Sequence, residues 1–271
     1  MIFSLYESNL HTHSHYCGHG SGTPQEYATS SLALLGFTEH APTYDNRYPS
    51  SRMKYEQMPF YEADVRAIDQ EGLTVLLGYE CDYLPEYYSY FDELRARVDY
   101  LIFGVHDLDR GRGEDSLFHR RLYKEDLLLY TKRYIQSIES GLFLFGAHPD
   151  VFASNYHQWD DDAIACSKAI IECAIEYGVG LEINGNGMRK ALVTVNGVSR
   201  YAYPLTEFWA LASEYSNLKV VVSSDAHRPS DVMANIDDGI ALAGEAGVGL
   251  SSYRIDKGGG DGSTLSIDLY A

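Results

Sequence analysis

Short apolar runs alternate with longer amphipathic stretches along almost the whole chain. Ile2–Leu5, Gly36–His40, Leu73–Glu80, Tyr100–His106, Leu142–His148, Val179–Asn184 and Lys219–His227 are brief and rich in aliphatic and aromatic residues, which predicts buried strands. Helical patterns fill the intervals. Thr23 as cap, Pro24 at the first helical position and Glu26 closing a capping box predict a helix through Tyr27 to Leu35, stopped at Gly36. Further helices are expected at Met58–Glu71, Tyr87–Val98, Lys124–Ser140, Asp160–Tyr177, Leu205–Tyr215 and Val232–Gly244, several followed by glycine. Ala41–Pro59 is long, polar and aperiodic and reads as a lid or substrate loop. A polar loop with Gly111 and Gly113 follows His106, and Gly258–Gly260 reads as a flexible connector to a short final strand at Leu265–Leu269.

Strand and helix alternate about seven times, which means βα units and a parallel sheet. No Pro- or Ser-rich linker and no internal repeat divides the chain, so residues 1–271 are expected to form a single domain. The strand ends decide between an open sheet and a barrel. They carry His11 and His13, His40, Glu80, His106, His148, and Asp225 with His227, with His19 on the first loop. In a barrel the C-terminal ends of the strands surround one mouth. In an open sheet they would lie along a line and could not meet. The expected fold is therefore α/β, a TIM-like barrel with its site at the C-terminal strand ends.

Composition narrows the function. The 271 residues are 45% apolar and 22% charged, as in a globular chain. A net charge of −18 argues against a nucleic-acid partner and against an anionic membrane surface. A small phosphate remains compatible with such a chain if metal ions neutralise the site. Cys17, Cys81, Cys166 and Cys173 form no CxxC pair, no leader-like run opens the sequence, and no apolar run could span a bilayer. The expectation is a cytoplasmic protein with reduced thiols. Cys17 lies between histidines and reads as a loop filler or, alternatively, a ligand. The 23 tyrosines read mainly as surface and loop packing.

Seven of the ten histidines belong to the strand-end set. One histidine at a strand end is readily satisfied by backbone, but repeated apolar-strand-then-histidine endings point to metal. Imidazole with carboxylate suits zinc, iron or manganese. Nine ligands exceed one coordination sphere and fit two or three ions. Neither G-x-S-x-G nor a P-loop competes. His15 reads as an extra loop histidine or, alternatively, a further ligand, and His119 and His157 as surface histidines.

The motifs Leu10-His11-Thr12-His13-Ser14, Gly36-Phe37-Thr38-Glu39-His40-Ala41-Pro42, Gly78-Tyr79-Glu80-Cys81-Asp82-Tyr83, Gly104-Val105-His106, Gly146-Ala147-His148-Pro149-Asp150, Leu181-Glu182-Ile183-Asn184 with Gly187-Met188-Arg189-Lys190, and Ser224-Asp225-Ala226-His227 resemble the PHP (polymerase and histidinol phosphatase) superfamily. The likeness is greatest to its histidinol-phosphate phosphatases and spans residues 8 to about 250. It implies a distorted seven-stranded (β/α) barrel and three ions. His11, His13, Glu80 and Asp225 would hold the first. Glu80, His106 and His148 would hold the second, with Glu80 bridging. His19, His40 and His227 would hold the third. Glu39 would be a ligand, an outer-sphere group or a substrate contact. Arg189 would grip the substrate phosphate, with Arg228 a weaker candidate and Lys190 a solvated neighbour. Glu80, Asp225 and His227 would act on the reacting atoms.

The implied activity is metal-dependent hydrolysis of a phosphate monoester, L-histidinol phosphate first, by a hydroxide shared between the ions. Departures from the family pattern at Asp107-Leu108-Asp109 and around Pro149–Phe152 put the substrate in question while leaving the metal positions filled. The rivals are another small phosphate ester, and a non-catalytic module binding metal or a phosphorylated ligand. Phosphate release on adding metal separates enzyme from module.

Overall fold

Seven parallel strands form the centre of the structure, a computed structural model that describes residues 1–29, 31–48, 51–108, 115–257 and 265–270. In chain order they are Ser8–Asn9, Leu34–His40, Thr74–Cys81, Tyr100–Phe103, Phe145–Gly146, Gly180–Asn184 and Val220–Ser223. Each pairs in parallel with its sequence neighbour, so spatial order follows chain order. A parallel bridge between Thr12 and Ala226, with the His13 amide donating to the Ala226 carbonyl at 2.8 Å, brings the first and last segments together. The sheet thus curls into a nearly closed barrel, as the strand endings predicted.

The barrel interior depends on glycine against tyrosine. A Cβ on Gly36 would collide with the Tyr100 hydroxyl and with Leu10, and a Cβ on Gly146 with the Tyr134 hydroxyl. Those hydroxyls are satisfied in place: Tyr100 donates to the Leu10 carbonyl at 2.8 Å and Tyr134 to that of Ala147 at 3.2 Å. Tyr27, Tyr61, Tyr79, Tyr130, Tyr134 and Tyr253 are all fully buried. Much of the tyrosine content is therefore core, contrary to the expectation of surface packing. A phenol buries a large apolar ring provided its hydroxyl finds a partner.

Several elements differ from expectation. The helix after Thr23 spans only Pro24–Tyr27, and Leu34 and Leu35 begin the next strand. Both leucines are fully buried there; a short apolar run does not by itself distinguish strand from helix. The Ile2–Phe3 run is not a barrel strand. It pairs antiparallel with Phe3 opposite Tyr253, in a small outer sheet with Ser252–Lys257 and Leu265–Tyr270. The Leu142–His148 strand is reduced to Phe145–Gly146. The Val193–Val195 and Val198–Arg200 hairpin was not anticipated, although Asn196-Gly197 between valines is a strong turn signal. Asn196 and Gly197 take φ of 52° and 81°, as that turn requires.

The long helices agree closely, at Lys124–Glu139 and Asp161–Tyr177. The Asp160 carboxylate accepts from the Ala163 amide, and Gly178 closes the second helix at φ 69°. No helix among the described residues is long and apolar enough to cross a membrane. Asp109, Gly111, Gly113 and Gly258–Gly260 lie outside the described residues.

Candidate metal centre

All nine predicted ligands meet at the C-terminal mouth of the barrel. His11 and His13 follow the first strand, and their alternate positions turn both Nε2 atoms inward to 3.0 Å from one another. Asp225 Oδ1 lies 3.6 Å from His11 Nε2 and 3.3 Å from His13 Nε2. His106 Nε2 and His148 Nε2 face each other at 3.2 Å, and His19 Nε2 and His227 Nε2 at 2.9 Å. His40 ends the second strand and stacks on His13 with centroids 4.4 Å apart.

Glu80 stands at the centre. It is buried, and neither of its oxygens accepts a well-formed hydrogen bond. Oε2 faces His40 Nδ1 at 2.9 Å, His11 Nε2 at 3.4 Å and His13 Nε2 at 3.5 Å. Oε1 faces His106 Nε2 at 3.3 Å and His148 Nε2 at 3.2 Å. Three ligand groups have donor atoms close enough to share an ion: His11, His13 and Asp225; Glu80, His106 and His148; His19, His40 and His227. Glu80 with His13 and His40 forms a further group.

The electrostatics fit cations. Burial alone would depress His11, yet the carboxylates of Glu182, Asp225 and Glu80 raise it well above the usual imidazole range. Burial opposes protonation of His106 too, but Asp82 and Glu80 push it up to about 10. Against the cost of burial, the surrounding histidines hold Glu80 and Asp225 well below the carboxylate range. Burial and the charge on His13 do the reverse at the outer group, lowering His227 to about 3 and His40 well below its usual value. The carboxylates thus favour positive charge at His11 and His106. Unpartnered buried atoms remain at Glu80, Asp225 Oδ1, His40 Nδ1 and His148 Nδ1. Buried polar atoms without partners are costly, and metal coordination would satisfy them. Gly104 preserves the room: a Cβ there would stand 2.5 Å from Glu80 Oε1 and 2.9 Å from His148 Cε1.

The cavity over this cluster has a volume of about 1060 Å³. Lys190, Arg228 and Arg52 line it, with Asp107 and Asp231 as acids and Phe118 and Tyr203 as aromatic surface. Lys190 and His119 are exposed, as the sequence suggested, and also border the cavity. Arg189 also borders the cavity, but its terminal nitrogens donate to the carbonyls of Ser224, Asp225 and Ala234 and to Asn235 Oδ1 at 2.7–3.2 Å. Its guanidinium pins the segment carrying Asp225, so those donors are not available for the expected phosphate grip.

Glu39 does not stand where a substrate contact was expected. It is fully buried behind His13, accepts from the Ser14 amide and hydroxyl at 2.5 Å, and does not border the cavity. Cys17 lies within ligand distance of His13 and His227, but its thiol donates to the Ser14 carbonyl and accepts from the Gly20 amide, and burial pushes it up. His15 is exposed on the Gly22 carbonyl and His157 lies on that of Ser154, both outside every ligand group.

Two carboxylates behind the ligands were not singled out from sequence. Asp82 accepts from His106 Nδ1 at 3.1 Å and from its amide at 2.9 Å, and pairs with Arg52 of the Ala41–Pro59 loop. Glu182 contacts His11 Nδ1 at 2.8 Å. Their signal was present: each sits in a motif beside strand-end ligands, and an imidazole ligand usually donates its other nitrogen to a carboxylate.

The PHP domain family model matches residues 9–186. A Deinococcus radiodurans protein named "Probable histidinol-phosphatase" is 30% identical over 93% of this chain and 98% of its own. Two solved structures share the fold. One is hisK from Listeria monocytogenes, with a TM-score of 0.68 and 20% identity, covering 83% of this chain and 97% of its own. The other is histidinol phosphate phosphatase from Lactococcus lactis subsp. lactis, complexed with zinc, L-histidinol and phosphate. Its TM-score is 0.67 at 15% identity, covering 97% of this chain and 100% of its own.

Proposed function

This chain belongs to the PHP domain family, and from that premise we propose that it is a metal-dependent phosphatase that hydrolyses L-histidinol phosphate to L-histidinol and inorganic phosphate. The observation that carries this reading is Glu80, a buried carboxylate whose two unbonded oxygens face two different histidine groups.

His11, His13, Asp225 and Glu80 Oε2 would hold one ion, and Glu80 Oε1, His106 and His148 a second. His19, His40 and His227 would hold a third. Zinc, iron and manganese all suit these donors; zinc has the support of the Lactococcus complex. Such ions supply Lewis acidity, which acidifies the attacking water and stabilises charge on the phosphoryl oxygens.

The remaining roles fall to the chain. Lys190 and Arg228 at the cavity wall attract the phosphate dianion and oppose the charge that builds on its oxygens. Arg189 keeps Asp225 in place through the backbone around it. Asp225 and His227 border the cavity and would act beside the phosphate, with Glu80 below them setting the spacing of the two inner groups. Phe118 and Tyr203 give the leaving alcohol an apolar wall, while Asp107 and Asp231 favour a cationic amine over a second anion. Water adds to phosphorus, the ester P–O bond breaks, and a proton given up by that water goes to the leaving oxygen, so the products are the alcohol and inorganic phosphate.

The size of the cavity favours a second reading, a larger or different small phosphate ester. One experiment addresses both: metal-free protein is reconstituted with zinc, manganese or iron and assayed on a panel of phosphate esters. The highest kcat/KM is expected with histidinol phosphate. Preference for another ester replaces the substrate, and no phosphate release with any metal overturns the enzyme reading.

A further inference from the structure

The fully buried carboxylate of Glu182 touches the carriers of two ligand groups at once. Oε1 lies 2.8 Å from His11 Nδ1. Oε2 accepts from the His148 amide at 3.1 Å and from Asn184 Nδ2 at 2.7 Å. The same Asn184 nitrogen donates to Asp225 Oδ2 at 3.1 Å. One side chain in the middle of the sixth strand therefore connects His11 and Asp225 of one group with His148 of another.

We propose that Glu182 is the positioning residue that holds the two inner ligand groups in register and keeps His11 in the tautomer able to bind metal. The proposal rests on the metal-binding reading above. An ionised carboxylate only accepts. Against it, His11 Nδ1 keeps its proton, which leaves Nε2, the nitrogen facing His13, Glu80 and Asp225, as the one that would give up its proton to hold metal. On the other side, Oε2 fixes the main chain at His148, a residue held at φ 31°. That conformation is uncommon outside glycine and needs support from its surroundings. Glu182 is fully buried and does not border the cavity.

Glu182→Gln tests the role with little change of shape. If the amide nitrogen faces His11, it forces the proton onto Nε2 and blocks the ligand lone pair. If it faces the other way, it meets the N–H groups of His148 and Asn184, donor against donor. Either orientation spoils one ligand group. Zinc affinity of the metal-free full-length chain is read by competition with a chromophoric chelator, together with the melting temperature of the same metal-free sample. E182Q should bind zinc ~10–100-fold more weakly, the range for lost outer-sphere partners, while its metal-free melting temperature stays near wild type. Glu182→Asp, which keeps the charge but withdraws it by one methylene, should also weaken zinc and serves where E182Q melts early. In a His11→Ala background, E182Q should cost less than in wild type, because part of its effect passes through His11.

Wild-type zinc affinity in E182Q and E182D overturns the proposal. So does a fall in metal-free melting temperature that tracks the loss of zinc in both variants, full additivity with His11→Ala, or a wild-type chain that binds no zinc. The readouts use no substrate. A wild type that binds zinc tightly but hydrolyses no ester would remove the proposed reaction and leave the role of Glu182 standing.

Discussion

At the scale of single residues the site depends on atoms that have no alternative partner. Glu80 is the clearest case, with both oxygens buried, unbonded and facing different imidazoles. Glu80→Gln should remove most phosphatase activity, on the order of a hundredfold or more by analogy with lost electrostatic groups, while circular dichroism stays that of the wild type. His106→Ala should do the same. A wild-type rate in either variant would refute the bridging role. Arg189 makes a different prediction. Because its donors are spent on the backbone around Asp225, Arg189→Lys should lower kcat and zinc retention together. An increase in KM alone would instead indicate direct phosphate binding.

At the scale of elements, the strand ends aim the ligands and the glycines beside them keep the space open. Gly104 follows the fourth strand, where a Cβ would enter the volume between Glu80, His106 and His148. Gly104→Ala should therefore deplete zinc bound per chain and abolish activity while the barrel persists, checked by metal analysis and thermal melting. Gly36→Ala tests the strand below the site. Its added methyl meets Tyr100 and Leu10 inside the barrel, and overpacking of this kind costs about 1–3 kcal/mol. Urea unfolding should show that loss with little change in zinc affinity for the protein that remains folded.

At the scale of the whole molecule, the charge cluster makes stability depend on pH and metal together. In the metal-free chain His11 and His106 have raised affinities for protons, His106 to about 10 against 6.5 unfolded. Their stabilising contribution is complete below pH 6.5; the part from His106 is lost as pH rises through about 10, and the part from His11 is likewise lost on the alkaline side. His40 and His227 are shifted the other way, His227 to about 3. Their folded forms stay neutral, so stability falls as pH drops from 6.5 toward 3. Metal-free protein should therefore melt highest near pH 6.5 and lower on either side. Because His11 and His106 would have to give up added protons to hold metal, zinc binding should release protons and tighten as pH rises. Zinc in excess should also raise the melting temperature by mass action, and a chelator should reverse it. A flat metal-free profile would refute this account.

The alternation of short apolar runs with amphipathic stretches determined the βα order, and the polar endings of those runs determined the candidate ligands: His11, His13, His40, Glu80, His106, His148, Asp225 and His227 all stand at the mouth where the pattern put them, in groups that could hold metal. Periodicity and residue type are local properties, and the sequence carries them in full. It left open which short run was strand or helix at Leu34 and Leu35, because both patterns are apolar over so few residues. It also did not show that Ile2–Phe3 leaves the barrel for a partner some 250 residues away. Only the tertiary structure decided that Glu39 stands behind the ligands, that Arg189 is spent on backbone, and that Glu182 joins His11 to His148. Each of those depends on where a side chain points across the barrel, and contacts between residues 25 to 171 positions apart come into existence only when the strands close.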